Sequence, residues 1–292
     1  MGVLRALDLS VRHRVEGLLA GDHPSTTLGR GTELAQVRPY QPGDDVRFID
    51  WSVTARTTEP HVRVHVAERS LTTWLVLDTS ASMQFGTADR TKADLAEGVA
   101  LAVGHLACRG ANRLAVVAFG GPRSITLPPA QGRAGLLALL AALREVEGSP
   151  APDNTPAAET LADALARAAR LNRQRGLVVV VGDFRGGREW TTPMGQLCRR
   201  HDVLAVEVRD RREQELPDVG ELWLVDPETG RQLRVDTRRR SLRARFATAA
   251  EAERAALASE LASLGADHVV LTTEGDWLQP LASFLLRRER QR

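Results

Sequence analysis

The segment Asp78-Thr79-Ser80-Ala81-Ser82 places one carboxylate and two hydroxyls at alternate positions, directly after the apolar run Thr73–Leu77. Alternate residues of a curled loop can turn their oxygens toward one point, and small residues between them let the backbone fold tightly. Oxygen-only donors suit a hard cation such as Mg²⁺, which takes six oxygens in a near-octahedral array and tends to keep waters. A second carboxylate follows another apolar run, in Gly182-Asp183-Phe184, and Pro152-Asp153-Asn154-Thr155-Pro156 offers a hydroxyl just before a helix. Each feature also has a plainer role. The first loop would serve as a hydrogen-bonded structural turn, and Asp183 as a cap for the next helix. Thr155 stands where an N-cap stands, before proline at the first helical position.

The elements that must position these groups are legible as periodicity. Five apolar or β-branched runs, Thr73–Leu77, Arg113–Phe119, Leu177–Val181, Val203–Val208 and His268–Leu271, read as strands. Leu177–Val181 is continuously apolar, which fits a strand buried on both faces of a parallel sheet. Segments of helical period lie between them. In Lys92–Arg109, Leu95, Val99, Ala102 and Leu106 form one apolar stripe. Gly132–Val146, Pro156–Gln174, Arg188–Arg199, Ser241–Leu264 and Asp276–Arg288 also read as helices. This alternation predicts an α/β fold with a mostly parallel sheet flanked by helices. In such sheets ligands bind beyond the carboxyl ends of the strands, where Asp78 and Asp183 fall.

Two stretches stand apart. Around Asp226-Pro227-Glu228-Thr229-Gly230, two short apolar runs predict a β-hairpin insertion near residues 221–235. Residues 1–70 read as an N-terminal extension: an amphipathic helix over Leu4–Leu19, a Gly/Thr-rich loop over Gly21–Gly31, and a strand over His61–Val66. The expected division is 1–70 and 71–292, with the extension packed against the α/β domain.

Composition excludes several functions. The 292 residues carry 39 Lys+Arg against 37 Asp+Glu, a net charge of +2, and Lys92 is the sole lysine. A phosphate-binding P-loop needs lysine right after glycine, and Lys92 follows Thr91. Any Schiff base is confined to Lys92, whose head is expected in solvent rather than paired with a carboxylate. The basic runs lack interleaved aromatics, so no nucleic-acid partner is expected. No apolar run reaches the roughly 18 residues of a transmembrane helix, and the N-terminus lacks a signal-type apolar region. The expectation is therefore a cytoplasmic protein with reduced Cys108 and Cys198. His61 and His65 have no third ligand at zinc spacing.

Asp-x-Ser-x-Ser after the first strand, with a later Thr and Asp from other loops, resembles the metal-ion-dependent adhesion site of von Willebrand factor A domains. The upstream run Tyr40-x-Pro-Gly43-Asp44-Asp45-x-Arg47-x-Ile49-Asp50-Trp51, followed by Thr54-Ala55-Arg56, resembles the bacterial "domain of unknown function 58" family. That similarity runs from about residue 33 to the C-terminal helix. It implies a von Willebrand A-like fold and a genomic association with MoxR-type AAA+ ATPases. It also implies Mg²⁺ or Mn²⁺ bound directly by Ser80 and Ser82, with Asp78 and Asp183 binding through water or standing behind the direct ligands. Thr155 or Thr160 would be the third-loop ligand, although Asp153-Asn154-Thr155 departs from the usual Gly-Thr.

In von Willebrand A domains a partner's carboxylate completes the coordination. The implied function is thus a non-enzymatic, metal-dependent interaction module, an adaptor for a MoxR-type ATPase in assembly or maturation of clients that present an acidic residue. Tyr40, Gly43, Asp44, Asp45, Arg47, Asp50, Trp51 and Arg56 would form a docking surface for the ATPase. Alternatively, Asp45, Arg47, Asp50 and Arg56 would form an ion-pair network pinning residues 33–70 onto the sheet. Met83 and Phe85 would supply an apolar rim to the site or pack under the sheet. Two competing functions remain. A phosphatase-like hydrolase would use Asp78, but the position of its second carboxylate is Ser80, and there is no Gly-x-Ser-x-Gly elbow. A structural partner would carry a vestigial metal site.

Overall fold

The computed structural model describes residues 28–66, 71–108, 112–148 and 159–290. Leu4–Leu19, Thr155 and the rest of the Pro152–Pro156 loop lie outside the described residues. The chain divides into two compact units, one drawn from residues 20–70 and one from residue 71 onward.

In the first unit, β1 (Leu28–Pro39) pairs antiparallel with β2 (His61–Val66), and α1 (Trp51–Thr57) lies between them in sequence. β1 begins inside the segment expected to be loop: ladder pairing with β2 overrides the weak strand propensity of Gly and Thr-rich sequence. Several ion pairs and caps involve the Tyr40–Arg56 run. Arg38 grips Asp44 through two hydrogen bonds of 2.7 and 2.8 Å, and Asp44 also accepts from the Gln41 N–H. Asp45 pairs with Arg47. Asp50 caps α1 by accepting from the Ser52 and Val53 amides, while its other oxygen takes Arg63 Nε at 2.9 Å. Arg56 donates to the Ser52 carbonyl of its own helix. The Tyr40 amide donates to Pro60 O, Gly43 supplies a positive φ of 108°, and the Trp51 ring is exposed.

The second unit runs β3 (Thr72–Asp78), α2 (Lys92–Ala107), β4 (Arg113–Phe119), β5 (Ile125–Gln131), α3 (Gly132–Gly148), α4 (Leu161–Leu171), β6 (Leu177–Gly182), α5 (Thr191–Cys198) and β7 (Asp202–Arg209). It continues through β8 (Glu221–Val225), β9 (Gln232–Asp236), α6 (Arg240–Leu264), β10 (Asp267–Thr272) and α7 (Leu278–Arg290). Six strands form one sheet in the order β10-β7-β6-β3-β4-β5. All pairs are parallel except β4–β5. β8 and β9 form the expected hairpin as a sheet of their own. β5 escaped the sequence reading because Pro128-Pro129 argue against a strand. An edge strand tolerates them, since one side needs no ladder donors, and the register shifts between Leu114 and Val116.

The central strands are buried on both faces, which is why they lack alternation. Leu75, Leu77, Val179, Val181 and Leu204 face α2, α3 and α7 through Leu95, Val99, Leu139 and Leu281. Trp74, Val76, Val178 and Val180 face α4, α5 and α6 through Leu165, Met194 and Leu261. Among the described residues, no helix is long and apolar enough to cross a membrane. Leu75 is wholly buried whereas Leu233 on β9 is 59% exposed. Leu75→Ala is therefore expected to cost about 3 kcal/mol in urea unfolding, and Leu233→Ala less than about 0.5 kcal/mol. Equal losses would contradict this placement of the core.

Candidate functional site

β3 lies between β6 and β4 and delivers Asp78 at its carboxyl end. Two glycines clear the space there. A Cβ on Gly182, at the end of β6, would lie 2.9 Å from Asp78 Cβ. A Cβ on Gly120, just after β4 at φ +80°, would lie 2.9 Å from Ser80 Cβ. Thr79 ties the loop to the end of β4, its amide and hydroxyl both donating to Phe119 O at 2.8 and 2.7 Å. The following single 3-10 turn, Ala81–Gln84, is anchored by fully buried Met83, which therefore packs inward, while Phe85 is exposed.

The oxygens converge. The Ser80 amide donates to Asp78 Oδ1 at 2.9 Å, the Ser80 and Ser82 hydroxyls are 3.1 Å apart, and Ser82 Oγ donates to Asp183 Oδ2 at 2.9 Å. Asp183 Oδ1 accepts from the Arg185 amide at 3.1 Å. Its position depends on Phe184, which adopts a left-handed φ of 53° while buried. A bulky residue in that region costs about 1–2 kcal/mol. The Phe184 ring is held edge-on to Trp190, with centroids 5.7 Å apart. Packing thus supports a strained turn that aims a carboxylate.

Lys92 corrects the sequence reading. Its head is not in solvent: the residue is fully buried, and Nζ donates to Asp183 Oδ2 and to Glu213 Oε1, each at 2.7 Å. The rule that charges seek water fails here because two carboxylates from different loops enclose the ammonium. Glu213 was not anticipated, and neither was Glu228, whose Oε1 accepts from the Ser82 amide at 2.8 Å. Glu228 sits in the turn of the predicted hairpin, so its presence on a protruding tip was visible but its reach was not. Thr160 caps α4 in a reciprocal box with Asp163 and lines the same cleft as Asp78, Ser80, Ser82 and Asp183.

The two aspartates are electrostatically unlike. Burial, reinforced by the charge of Asp183, pushes the Asp78 carboxyl up to about 7. Burial would raise Asp183 as well, but the charge and hydrogen bond of Lys92 outweigh it and hold Asp183 below the ordinary carboxylate range. Among the described residues no three His, Cys, Asp or Glu side chains are grouped as a metal centre. The donor set here is instead two carboxylates with two hydroxyls. It opens into a cleft of about 1520 Å³, also lined by Phe85, Trp190, Leu222, Leu224 and Phe246.

Removing the ammonium would strand two buried carboxylates, so Lys92→Met is expected to lose about 3–5 kcal/mol in chemical unfolding. A loss below 1 kcal/mol would mean the clasp is not formed. The pH dependence has a definite sign. Metal-free Asp78 keeps its proton to about 7 when folded, against about 3.9 when unfolded. Its contribution is full below pH 4 and is lost as pH rises toward 7, on the order of 4 kcal/mol at most. Asp183 acts oppositely and below that window, its contribution being lost as acid protonates it. In EDTA, Asp78→Asn should flatten the fall in melting temperature between pH 5 and 8. An unchanged slope would contradict the assignment.

A protein of Mycobacterium tuberculosis (strain ATCC 25618 / H37Rv), "Uncharacterized protein Rv1480", is 42% identical over 289 residues, covering 98% of this chain and 89% of its own. Mb1516 of Mycobacterium bovis matches with the same identity and coverage. Among solved structures, the chain is similar to BatB from Bacteroides thetaiotaomicron at 12% identity and a TM-score of 0.44, over 76% of this chain and 100% of that one. It is also similar to the SpRpn10 VWA domain at 12% identity and a TM-score of 0.38, over 75% and 95% of the two chains. At these scores the solved neighbours bear on neither chemistry nor partner. The family model described as "Protein of unknown function DUF58" matches residues 36–256, and the chain belongs to that family.

Proposed function

We propose that this protein is a non-enzymatic interaction module that holds Mg²⁺ or Mn²⁺ at Asp78, Ser80, Ser82 and Asp183. Through that cation it binds an acidic residue of a client, and it acts as adaptor for a MoxR-type AAA+ ATPase in assembly or maturation of client complexes. The observation that carries the reading is the convergence of those four side chains at the carboxyl edge of the sheet. Asp183 Oδ2 and Ser80 Oγ lie 2.9 and 3.1 Å from Ser82 Oγ. Cis oxygens around Mg²⁺ lie ~3 Å apart, given ~2.1 Å bonds, so the spacing that serves hydrogen bonds also suits a small hard cation.

The charges support the same reading. Asp78 retains a proton to about 7 because burial strips its charge of solvent and Asp183 adds negative charge beside it. A divalent cation would take over the balancing that the proton provides. Bound there, it would supply a positive centre that prefers an anionic oxygen. Ser80 and Ser82 would hold it, Asp78 and Asp183 would neutralise it, and Lys92 would keep Asp183 oriented. Thr155 is retained as a proposed third-loop ligand.

Hydrolysis is less well supported. A nucleophilic aspartate must be ionised, and Asp78 lacks an acid/base carboxylate two residues on, where Ser80 stands. The ATPase partner is proposed on the family resemblance. It fits a chain whose single lysine is enclosed by carboxylates and so offers nothing to a nucleotide phosphate. The clasped segment Tyr40–Trp51, with Trp51 71% exposed, is the proposed docking surface.

Mn²⁺ titration should show saturable binding to the wild type that weakens at least about tenfold, some 1.4 kcal/mol, in Ser80→Ala/Ser82→Ala. Pull-down of a MoxR-type ATPase from the same organism should weaken in EDTA. Identical capture with and without chelator would sink the metal-gated adaptor.

A further inference from the structure

The β8–β9 hairpin does not join the main sheet, and an isolated two-stranded hairpin is marginal in water. It nevertheless leaves Trp223, Val225 and Leu233 exposed, and these three line the cleft together with Leu222, Leu224 and Phe246. Its tip is stiffened. Asp226 Oδ1 accepts from the Glu228 and Thr229 amides, Asp226 Oδ2 accepts from Thr229 Oγ1 at 2.6 Å, and Gly230 at φ +67° closes the turn. From this tip Glu228 reaches a residue 146 positions earlier, taking the Ser82 amide at 2.8 Å.

That placement is electrostatically costly. Glu228 brings a further carboxylate to a site that already holds Asp78 and Asp183, and its charge adds to the pressure on Asp78. A rigid turn that carries a carboxylate to this point marks a position shaped for a carboxylate, beside an apolar wall.

We propose that the cleft between the oxygen cluster and the hairpin docks a partner segment presenting a carboxylate next to a large apolar side chain, and that Glu228 is a built-in stand-in displaced on docking. This rests on the reading of the site as one that recognises acidic residues, and it adds the apolar wall, the competitor and the identity of the gate. A partner must outcompete an intramolecular carboxylate held at high effective concentration, so weak acidic encounters are rejected.

The hairpin's own tip supplies the probe. A fluorescein-labelled peptide of residues 223–231 is titrated by anisotropy, in Mg²⁺ and again in EDTA, into the full-length wild type and Glu228→Gln. Glu228→Gln should bind it about tenfold more tightly than wild type, a difference of about 1.4 kcal/mol. A peptide with Gln in place of its Glu should bind neither protein. Hydrogen exchange at the Ser82 amide should be faster in Glu228→Gln, with a melting temperature no lower than that of the wild type. Equal binding to both proteins, no binding to either, or equal binding of the Gln peptide overturns the proposal. A parallel Mn²⁺ titration separates the two readings. Normal Mn²⁺ binding without a peptide difference sinks the docking proposal alone. A tenfold difference that persists in EDTA without Mn²⁺ binding sinks the metal reading alone.

Discussion

The ammonium of Lys92 is the interaction on which the rest of the site depends. It sits at the first position of α2, wholly buried, with Asp183 and Glu213 each at 2.7 Å. A buried charge is tolerable only when paired and hydrogen-bonded. The pairing therefore ties together three segments far apart in sequence: the start of α2, the loop after β6 and the turn after β7. Arg185 Nε adds an outer cation 3.4 Å from Glu213, closing the clasp toward the surface. Because Lys92 keeps Asp183 ionised, Asp78 is left as the carboxyl that must share its place with a proton or another cation.

The backbone makes the room that this charge arrangement occupies. Parallel strands bring β3 and β6 to the same edge, and Gly182 and Gly120 omit the side chains that would fill the space beside Asp78 and Ser80. Phe184 does the opposite work. Its left-handed turn stores strain that the contact with Trp190 offsets, so Asp183 stays aimed at Ser82 rather than relaxing along the chain. Oxygens held by packing need little reorganisation on binding, which is the physical basis of a preorganised recognition site.

Much of this was legible in the sequence, for identifiable reasons. Strands buried on both faces announce themselves as unbroken apolar runs, so Leu177–Val181 and its neighbours could be placed with the loops that leave them. Asp78, Ser80, Ser82 and Asp183 followed, because strand ends at one edge of a parallel sheet are brought together by topology. β5 was hidden by Pro128-Pro129, whose penalty vanishes at an edge. Glu213, Glu228 and the burial of Lys92 were hidden because they depend on distances between loops, which no local periodicity encodes. Even so, a lone lysine in a chain of 38 arginines is itself a signal. Its compact, flexible ammonium meets two carboxylates in a confined space, where a planar guanidinium would demand more room.

A carboxyl near pH 7 in a cleft is also what general acid–base catalysis uses, so the shift of Asp78 must be read by its cause. It arises from burial and from the negative charge of Asp183 and Glu228, not from a neighbour poised to exchange the proton. Asp78 Oδ1 already accepts the Ser80 amide, and the Ser82 hydroxyl is committed to Asp183. Such a group releases its proton when positive charge arrives, and then becomes part of what holds that charge. The same residues that would make a poor general base without a cation make a well-placed counter-charge with one.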